Sequence, residues 1–296
     1  MIKRIKRKLK GFIKSSISNE DNFKNSQVIQ TQLMMHYQYL RDQNLKLPEL
    51  SDTGFRVFSQ NDEDGLLLYI FSLIGTTSKQ CLDVAYGGPH GANTTNLICN
   101  WGWTGLLIEG NLQGVENSKK FFSQHLDTYI YPPHVIQAWV TAENINELCE
   151  KNDLFGEIDL FSLDMDGVDY WVWKNLNTVN PRVVVVEYLD ILGPNKALTI
   201  PYKSDFIAHP AESDNVGEPF DYFGASLPAF VKLGKEKGYR LVGVNKYGFN
   251  AFFIKNGIGE KWLPEIDAHI CFNHPKVQQG IKERWPKVKD MPWEEV

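Results

Sequence analysis

The sequence predicts an α/β protein whose mostly parallel sheet is covered by helices on both faces and ends in an antiparallel strand. Five short apolar segments alternate with helical patterns between residues 80 and 188. These segments are apolar at consecutive positions, as strands are when both faces of a sheet are buried. Two more apolar segments lie on either side of a tight turn at residues 246–249, which is typical of an antiparallel hairpin.

The elements can be assigned in order along the chain. Helices are predicted at residues 31–45, 66–74, 93–100, 113–125, 143–151, 168–178 and 224–237. Strands are predicted at 80–86, 104–109, 134–141, 158–164 and 182–188. With the two hairpin strands the sheet has seven strands in a Rossmann-like α/β arrangement. An irregular, proline-containing segment at about 190–223 is predicted to be a functional loop, because loops of this length seldom serve only as connections.

Charge is distributed unevenly over the 296 residues. The net charge is -5, but residues 1–14 carry seven Lys or Arg and no acid, so the rest carries -12. Apolar residues recur in this basic segment at roughly helical spacing, which predicts peripheral contact with an anionic membrane surface; a disordered leader is the alternative. The run is too short to span a bilayer. An acidic body without a second basic patch argues against nucleic-acid binding.

The composition also suggests how the chain is divided. Residues 1–30 are predicted to form the basic amphipathic N-terminus and a linker, 31–258 the main domain and 259–296 a C-terminal extension. The four cysteines, Cys81, Cys99, Cys149 and Cys271, lack metal-binding spacing. They are therefore expected to be buried thiols in a reducing compartment, which indicates a cytoplasmic location.

A glycine-rich turn follows the first strand. Asp83 lies near the end of that strand, and Gly87, Gly88 and Gly91 precede a helical pattern. Glycines allow close approach of a ligand to the backbone, and Glu109, at the end of the second strand, is placed to accept hydrogen bonds from ribose hydroxyls. This pattern predicts a nucleotide-containing cofactor, although a plain turn and a surface acid are the alternatives. The GxGxxG fingerprint is absent, which disfavours an NAD-dependent enzyme.

Acidic residues end two later strands. Asp164 and Asp166 follow the fourth strand, and Glu187 ends the fifth. Because ligands bind at the carboxyl edge of such sheets, these carboxylates could bind the cofactor, hold a divalent cation or accept a substrate proton. Alternatively, Asp166 or Asp169 caps the next helix.

Three further residues were assigned to the site. Gln60 and Asp64 lie in the polar segment before the helix that packs beside the first strand, within reach of the cofactor pocket. His209, in the long loop, is a second candidate for the base.

Several collinear motifs together resemble the FkbM-like group of S-adenosylmethionine (SAM)-dependent methyltransferases. They include SQNDEDG, LDVAYGGPHGANTTNL, WTGLLIEGN, DLFSLDMDGVDYWVW, VVVVEY and GASLPAFVKLGKEKGYRLVG. The resemblance implies the class I methyltransferase fold, with Gly87 and Gly88 near the methionine part of SAM, Glu109 on its ribose and Thr141 near its adenine. Asp164 and Asp166 then lie at the reaction edge. The turn departs from the family pattern at Tyr86 and Pro89, which are bulky and stiff.

The combined prediction is a SAM-dependent O-methyltransferase that acts on a hydroxyl of a saccharide, either a surface polysaccharide or its lipid-linked precursor. Catalysis is assigned to Asp164, Asp166 and His209. Cofactor binding is assigned to Gln60, Asp64, Asp83, Gly87, Gly88, Glu109, Thr141 and Asp164. A divalent cation such as Mg²⁺ is assigned to Asp164, Asp166 and Glu187. The acceptor is expected at the inner face of a membrane. The alternative is a non-catalytic binding or scaffold protein that retains the fold.

Overall fold

The computed structural model describes residues 26–208 and 221–296. The chain divides into two compact units, Met1–Leu47 and Pro48–Val296. In the first unit, helix α1 covers residues 26–42, and the predicted boundary at residue 30 falls within this helix. The basic segment 1–14 and His209 lie outside the described residues.

The second unit contains a seven-stranded sheet in the order β3-β2-β1-β4-β5-β8-β7. Its strands are β1 Gln80–Val84, β2 Thr104–Glu109, β3 His134–Gln137, β4 Gly156–Leu163, β5 Val179–Glu187, β7 Tyr239–Val244 and β8 Asn250–Lys255. Strands β1 to β5 pair in parallel, and β8 runs antiparallel to both of its neighbours. The predicted Rossmann-like sheet of seven mostly parallel strands with an antiparallel last strand is thereby confirmed. A small second sheet pairs β6 Leu198–Thr199 with β9 Glu294–Glu295, which the sequence pattern did not predict.

Helices connect and cover these strands. They are α2 Glu63–Ile74, α3 Thr95–Trp101, α4 Leu112–Gln124, α5 Ile145–Lys151, α6 Asp169–Asn175, α7 Leu227–Glu236, α8 Pro275–Glu283 and α9 Trp285–Val288. Ser226 caps α7, since its side-chain oxygen accepts a hydrogen bond from the Ala229 N–H, and Pro228 follows in the first turn, where no helical donor is needed. Among the described residues, no helix is long and apolar enough to cross a membrane.

The core explains why the strands are apolar at consecutive positions. In β5, Val183, Val184, Val185 and Val186 are all fully buried. Val184 and Val186 pack in one cluster with Cys149 of α5, Trp173 of α6 and Phe230 of α7, while the alternate valines face the other side of the sheet. Burying each such side chain contributes about 1.5–3 kcal/mol.

The C-terminal residues belong to the same compact unit as the sheet. Phe272 and Val277 join the main core cluster, and Arg284 hydrogen-bonds to the buried carboxylate of Asp221. All four cysteines are buried free thiols, which confirms that prediction.

Candidate active site

The turn after β1 is built from residues with positive φ. Ala85 has φ 59°, Gly87 66° and Gly88 142°. Glycine adopts these conformations without strain, whereas an alanine in the left-handed region costs about 1–2 kcal/mol. The turn is tied to the segment before α2, because the Gly91 N–H donates to the Phe58 carbonyl and the Gln60 N–H donates to the Gly91 carbonyl.

Tyr86, the bulky residue of this turn, is folded into the interior. Its ring is 3% exposed and lies 6.2 Å from the ring of Phe122, measured between centroids. Its hydroxyl hydrogen-bonds with the Thr95 hydroxyl over 2.8 Å. The departure from the family pattern therefore leaves an open cavity at the carboxyl edge of the sheet, and Pro89 is not among the residues that line it.

An apolar chamber forms the first part of this cavity, beside the ends of β1, β2 and β4. It is lined by Val84, Ala85, Ile108, Glu109, Gly110, Ala138, Trp139, Val140, Met165, Gly167, Val168, Ser204 and Phe206. The Glu109 carboxylate accepts hydrogen bonds from the N–H groups of Gly87 and Asn111, both at 2.7 Å. Each carboxylate oxygen can accept a further hydrogen bond, so Glu109 can still receive a ligand hydroxyl.

Residues after β6 close one side of the apolar chamber. The Trp139 indole N–H donates to the Ser204 carbonyl at 2.9 Å, and the Tyr202 hydroxyl donates to Glu143. Thr141 lies one residue beyond the chamber wall at Val140. Its hydroxyl accepts a hydrogen bond from the Asn144 N–H, and it does not line the chamber.

A polar chamber forms the second part of the cavity and meets the first at Ala85. It is lined by Gln60, Asp83, Ala85, Tyr86, Gly87, His90, Gly91, Ala92, Asn93, Ser162, Asp164, Asp166 and Asn250. No lysine or arginine of the described chain is in this lining. Its volume of about 390 Å³ is within the range usual for small-molecule sites.

Asp83 is the most enclosed acid of the polar chamber. Its carboxylate accepts a hydrogen bond from the Thr94 hydroxyl at 2.6 Å. Burial raises the pKa of Asp83 to about 7, and the charge of Asp164 adds to this shift.

Asp64 is placed differently from Gln60. Gln60 lines the polar chamber, but Asp64 lines neither chamber. One oxygen of Asp64 accepts the N–H groups of Val57, Phe58 and Ser59 at 2.6 to 2.8 Å. Asp64 therefore holds the segment that carries Gln60 to the cavity.

Asp164, Asp166 and Glu187 form an acidic cluster at the ends of β4 and β5. One oxygen from each lies within 4.8 Å of the others. Burial, followed by repulsion from Asp164, raises the pKa of Glu187, and burial likewise raises that of Asp164.

The loop between β4 and α6 is shaped by Asp169. Its carboxylate accepts the N–H groups of Met165 at 2.7 Å and Gly167 at 3.0 Å. Neither Asp166 nor Asp169 caps α6, whose N-cap residue is Val168, and Asp169 instead binds the loop that precedes the helix. Asp166, with φ 50°, remains directed to the cluster and the polar chamber.

Sequence reasoning missed Asn250 and Glu63. Asn250 begins β8, pairs opposite Glu187 and lines the polar chamber. Its side-chain N–H group donates to Glu63 at 3.0 Å. The only sequence signal was an asparagine at the end of a tight turn, and asparagines in turns usually serve the turn.

Comparison with known proteins gives likenesses of fold. No model of a protein family and no curated protein sequence matches the chain. Among solved structures, the N-terminal domain of EvdMO1 with SAH bound is 13% identical, with a TM-score of 0.43, covering 76% of this chain and 94% of that one. Magnesium protoporphyrin IX methyltransferase (ChlM) from Synechocystis PCC 6803 with bound SAM is 10% identical, with a TM-score of 0.40, covering 66% and 78%.

A third similar structure is the glycopeptide N-methyltransferase MtfA complexed with SAH. It is 10% identical, with a TM-score of 0.40, and the match covers 70% of this chain and 95% of that one. Identities and TM-scores this low do not indicate a function, which has to be inferred from the geometry of this chain's own cavity.

Proposed function

We propose that the chain is a SAM-dependent O-methyltransferase that acts on a saccharide hydroxyl, as the FkbM-like resemblance suggests. The observation that carries this proposal is the pair of chambers joined at Ala85. An apolar slot with an acid on its wall suits an adenosine, because Ile108 and Val140 offer apolar surface and Glu109 can accept from ribose hydroxyls. An acid-rich chamber without lysine or arginine suits a positively charged sulfonium and ammonium.

The residues of the polar chamber also supply what an oxygen nucleophile needs. Bound there, SAM supplies a methyl group on a positively charged sulfur, a group that is already a good electrophile. The protein's part is to align the acceptor hydroxyl and remove its proton. Asp164 or Asp166 would accept that proton, and the raised pKa of Asp164 brings this carboxylate closer to the value that favours a general base at neutral pH. His209 stays a second candidate.

The proposal also covers the chemical class of the acceptor, a sugar, and the place where it is presented. Trp139 lines the apolar chamber and is 52% exposed, so its ring offers a flat surface of the kind that sugars stack on. A basic segment at residues 1–14 is suited to anionic lipid and would bring the site to a lipid-linked acceptor at the inner face of a membrane.

The test combines binding with transfer. We expect isothermal titration calorimetry to detect SAM and SAH binding but no NADH binding, and labelled SAM to transfer its methyl group to saccharides of a cell-envelope extract. Asp164→Asn is expected to lower transfer about 10²–10⁴-fold, the usual contribution of a general base, with SAM affinity changed much less. If the folded protein does not bind SAM at millimolar concentration, the non-catalytic scaffold would be supported instead.

A further inference from the structure

We infer that the ends of β4, β5 and β8 bind one hard divalent cation, with Asp164, Asp166, Glu187 and the side-chain oxygen of Asn250 as its protein ligands. The inference deepens the proposed function and rests on it for the cation's catalytic meaning. A cation at this site would lower the pKa of the acceptor hydroxyl, and Asp164 and Asp166 would then act as its ligands and not as the base. Binding itself can be measured without SAM.

The first argument is the spacing of the three carboxylates. Two oxygens on one cation cannot be farther apart than twice the metal–oxygen distance, which is about 4.2 Å for Mg²⁺ and roughly 4.6–5.2 Å for Ca²⁺. One oxygen from each of Asp164, Asp166 and Glu187 lies within 4.8 Å of the others. A single ion can therefore contact all three carboxylates with little movement of the chain.

The second argument is charge. The cluster lies beside the polar chamber, where Asp83 adds another acid and no described lysine or arginine is in the lining. A divalent cation relieves the repulsion within the cluster, because it neutralises two charges and accepts lone pairs from all three carboxylates.

The third argument is Asn250, which is independent of the acids. Its side chain is 5% exposed, and its amide N–H group donates to the Glu63 carboxylate at 3.0 Å. This bond determines which end of the amide faces Glu63, so the oxygen is the other end. That oxygen has no hydrogen-bond partner among the described residues. Buried acceptors are rarely left unpaired, and an amide oxygen is a ligand that hard cations prefer.

Asn245 is a second amide that donates to Glu63, and its oxygen does have hydrogen-bond partners. It donates to Glu63 at 2.7 Å, and its oxygen accepts the N–H groups of Phe249 and Asn250. Glu63 thus orients both amides, and only Asn250 has an oxygen left for a ligand. Asn250 pairs opposite Glu187, so the two side chains leave the same face of the sheet, and Asn250 lines the same chamber as Asp164 and Asp166. We therefore assign its oxygen to the cation together with the three carboxylates.

The experiment uses the full chain, treated with chelator, and Mn²⁺ alone as the probe. Electron paramagnetic resonance of free Mn²⁺ should show one ion bound per chain. Asp166→Asn is expected to weaken Mn²⁺ binding by at least about 10-fold while raising the melting temperature of the metal-free protein, because repulsion within the cluster falls. A merely structural aspartate would lower the melting temperature and would not change Mn²⁺ binding.

Two further variants test the amide. Asn250→Leu, of similar size but without the oxygen, should also weaken Mn²⁺ binding about 10-fold. Asn117→Leu is the matched control, since it removes an exposed amide of α4 that lines neither chamber, and it should leave Mn²⁺ binding unchanged. Circular dichroism establishes that each variant is folded.

The outcomes separate this inference from the proposed function. A wild-type protein that binds SAM but not millimolar Mn²⁺ overturns the cation site and leaves methyl transfer intact. A wild-type protein that binds Mn²⁺ but not SAM overturns the proposed methyl transfer and leaves the cation site intact. Unchanged Mn²⁺ affinity in Asp166→Asn overturns the site, and unchanged affinity in Asn250→Leu alone removes Asn250 from it, which would identify its oxygen as an acceptor for SAM or substrate instead.

Discussion

Strands β4 and β5 carry buried or half-buried charged side chains toward both of their ends. Among the described residues, only the charges toward the amino ends are paired with an opposite charge. Toward the amino ends, Asp159 accepts hydrogen bonds from the N–H groups of Thr77, Ser78 and Lys79 and from the Arg182 guanidinium. Arg182 also donates to the carbonyls of Ile74 and Gly75. At the carboxyl ends, Asp164, Asp166 and Glu187 face one another without a described lysine or arginine.

The difference separates a structural ion pair from a site. The Asp159–Arg182 pair is complete within the chain, with a 2.7 Å contact and almost no exposure of either side chain. Its bonds join the segment before β1 to the sheet. The acidic cluster has no neutralising side chain among the described residues. Like charges left in this state indicate a ligand, in agreement with the carboxyl edge at which open α/β sheets bind their ligands.

The largest effect on stability is expected from breaking the buried ion pair between Asp159 and Arg182. Arg182→Met removes the cation from a fully buried Asp159, and we expect a loss of about 3–5 kcal/mol in the free energy of unfolding, measured by urea denaturation. Adding Asp159→Asn should recover part of the loss, because no charge is then left unpaired. A loss below about 1 kcal/mol in the single variant would show that the three N–H groups alone sustain Asp159.

A smaller effect is expected from the pH dependence of stability. Burial raises the pKa of Asp83 to about 7, so the folded protein keeps a proton that the unfolded chain loses near pH 4. The free energy of unfolding therefore falls as pH rises from about 4 to 7 and levels off above that range. Asp83→Asn should flatten this slope by up to about 4 kcal/mol across the range, or about 1.4 kcal/mol for each pH unit, measured by denaturation at several pH values.

The control for this prediction is a variant of β1 that removes no titratable group. Leu82→Val also changes a buried residue of the strand that carries Asp83, and it is expected to leave the slope between pH 4 and 7 unchanged. If Asp83→Asn and the wild type have parallel pH profiles, Asp83 is not the group that binds the extra proton.

The smallest effect concerns strain in the turn after β1. Ala85 has φ 59° and lines both chambers. Ala85→Gly should raise the free energy of unfolding by up to about 1 kcal/mol, because relief of the strain exceeds the added entropy of the unfolded chain. Ala229→Gly in α7 should lower it by about 1 kcal/mol or more. Destabilisation by Ala85→Gly would mean that the alanine methyl group contributes packing that outweighs the strain.

Local pattern was sufficient for the strands and for the acids that end them. Consecutive apolar positions predicted β5. Because parallel strands bring their carboxyl ends to one edge, the sequence alone also grouped Asp164, Asp166 and Glu187, which the structure brings together. Pattern was not sufficient for Asp64. An acid before a helix can reach a pocket or bind its own backbone, and the sequence does not distinguish the two.

By itself, the sequence determined the order of strands and helices, the burial of the cysteines and the acidic edge, because these follow from periodicity and from the position of a residue at the end of a strand. Only the tertiary structure decided that Tyr86 folds inward and that Asn250 lies opposite Glu187 with a free oxygen. Those outcomes depend on the register of the hairpin and on competition among distant hydrogen-bond partners, which no local pattern records.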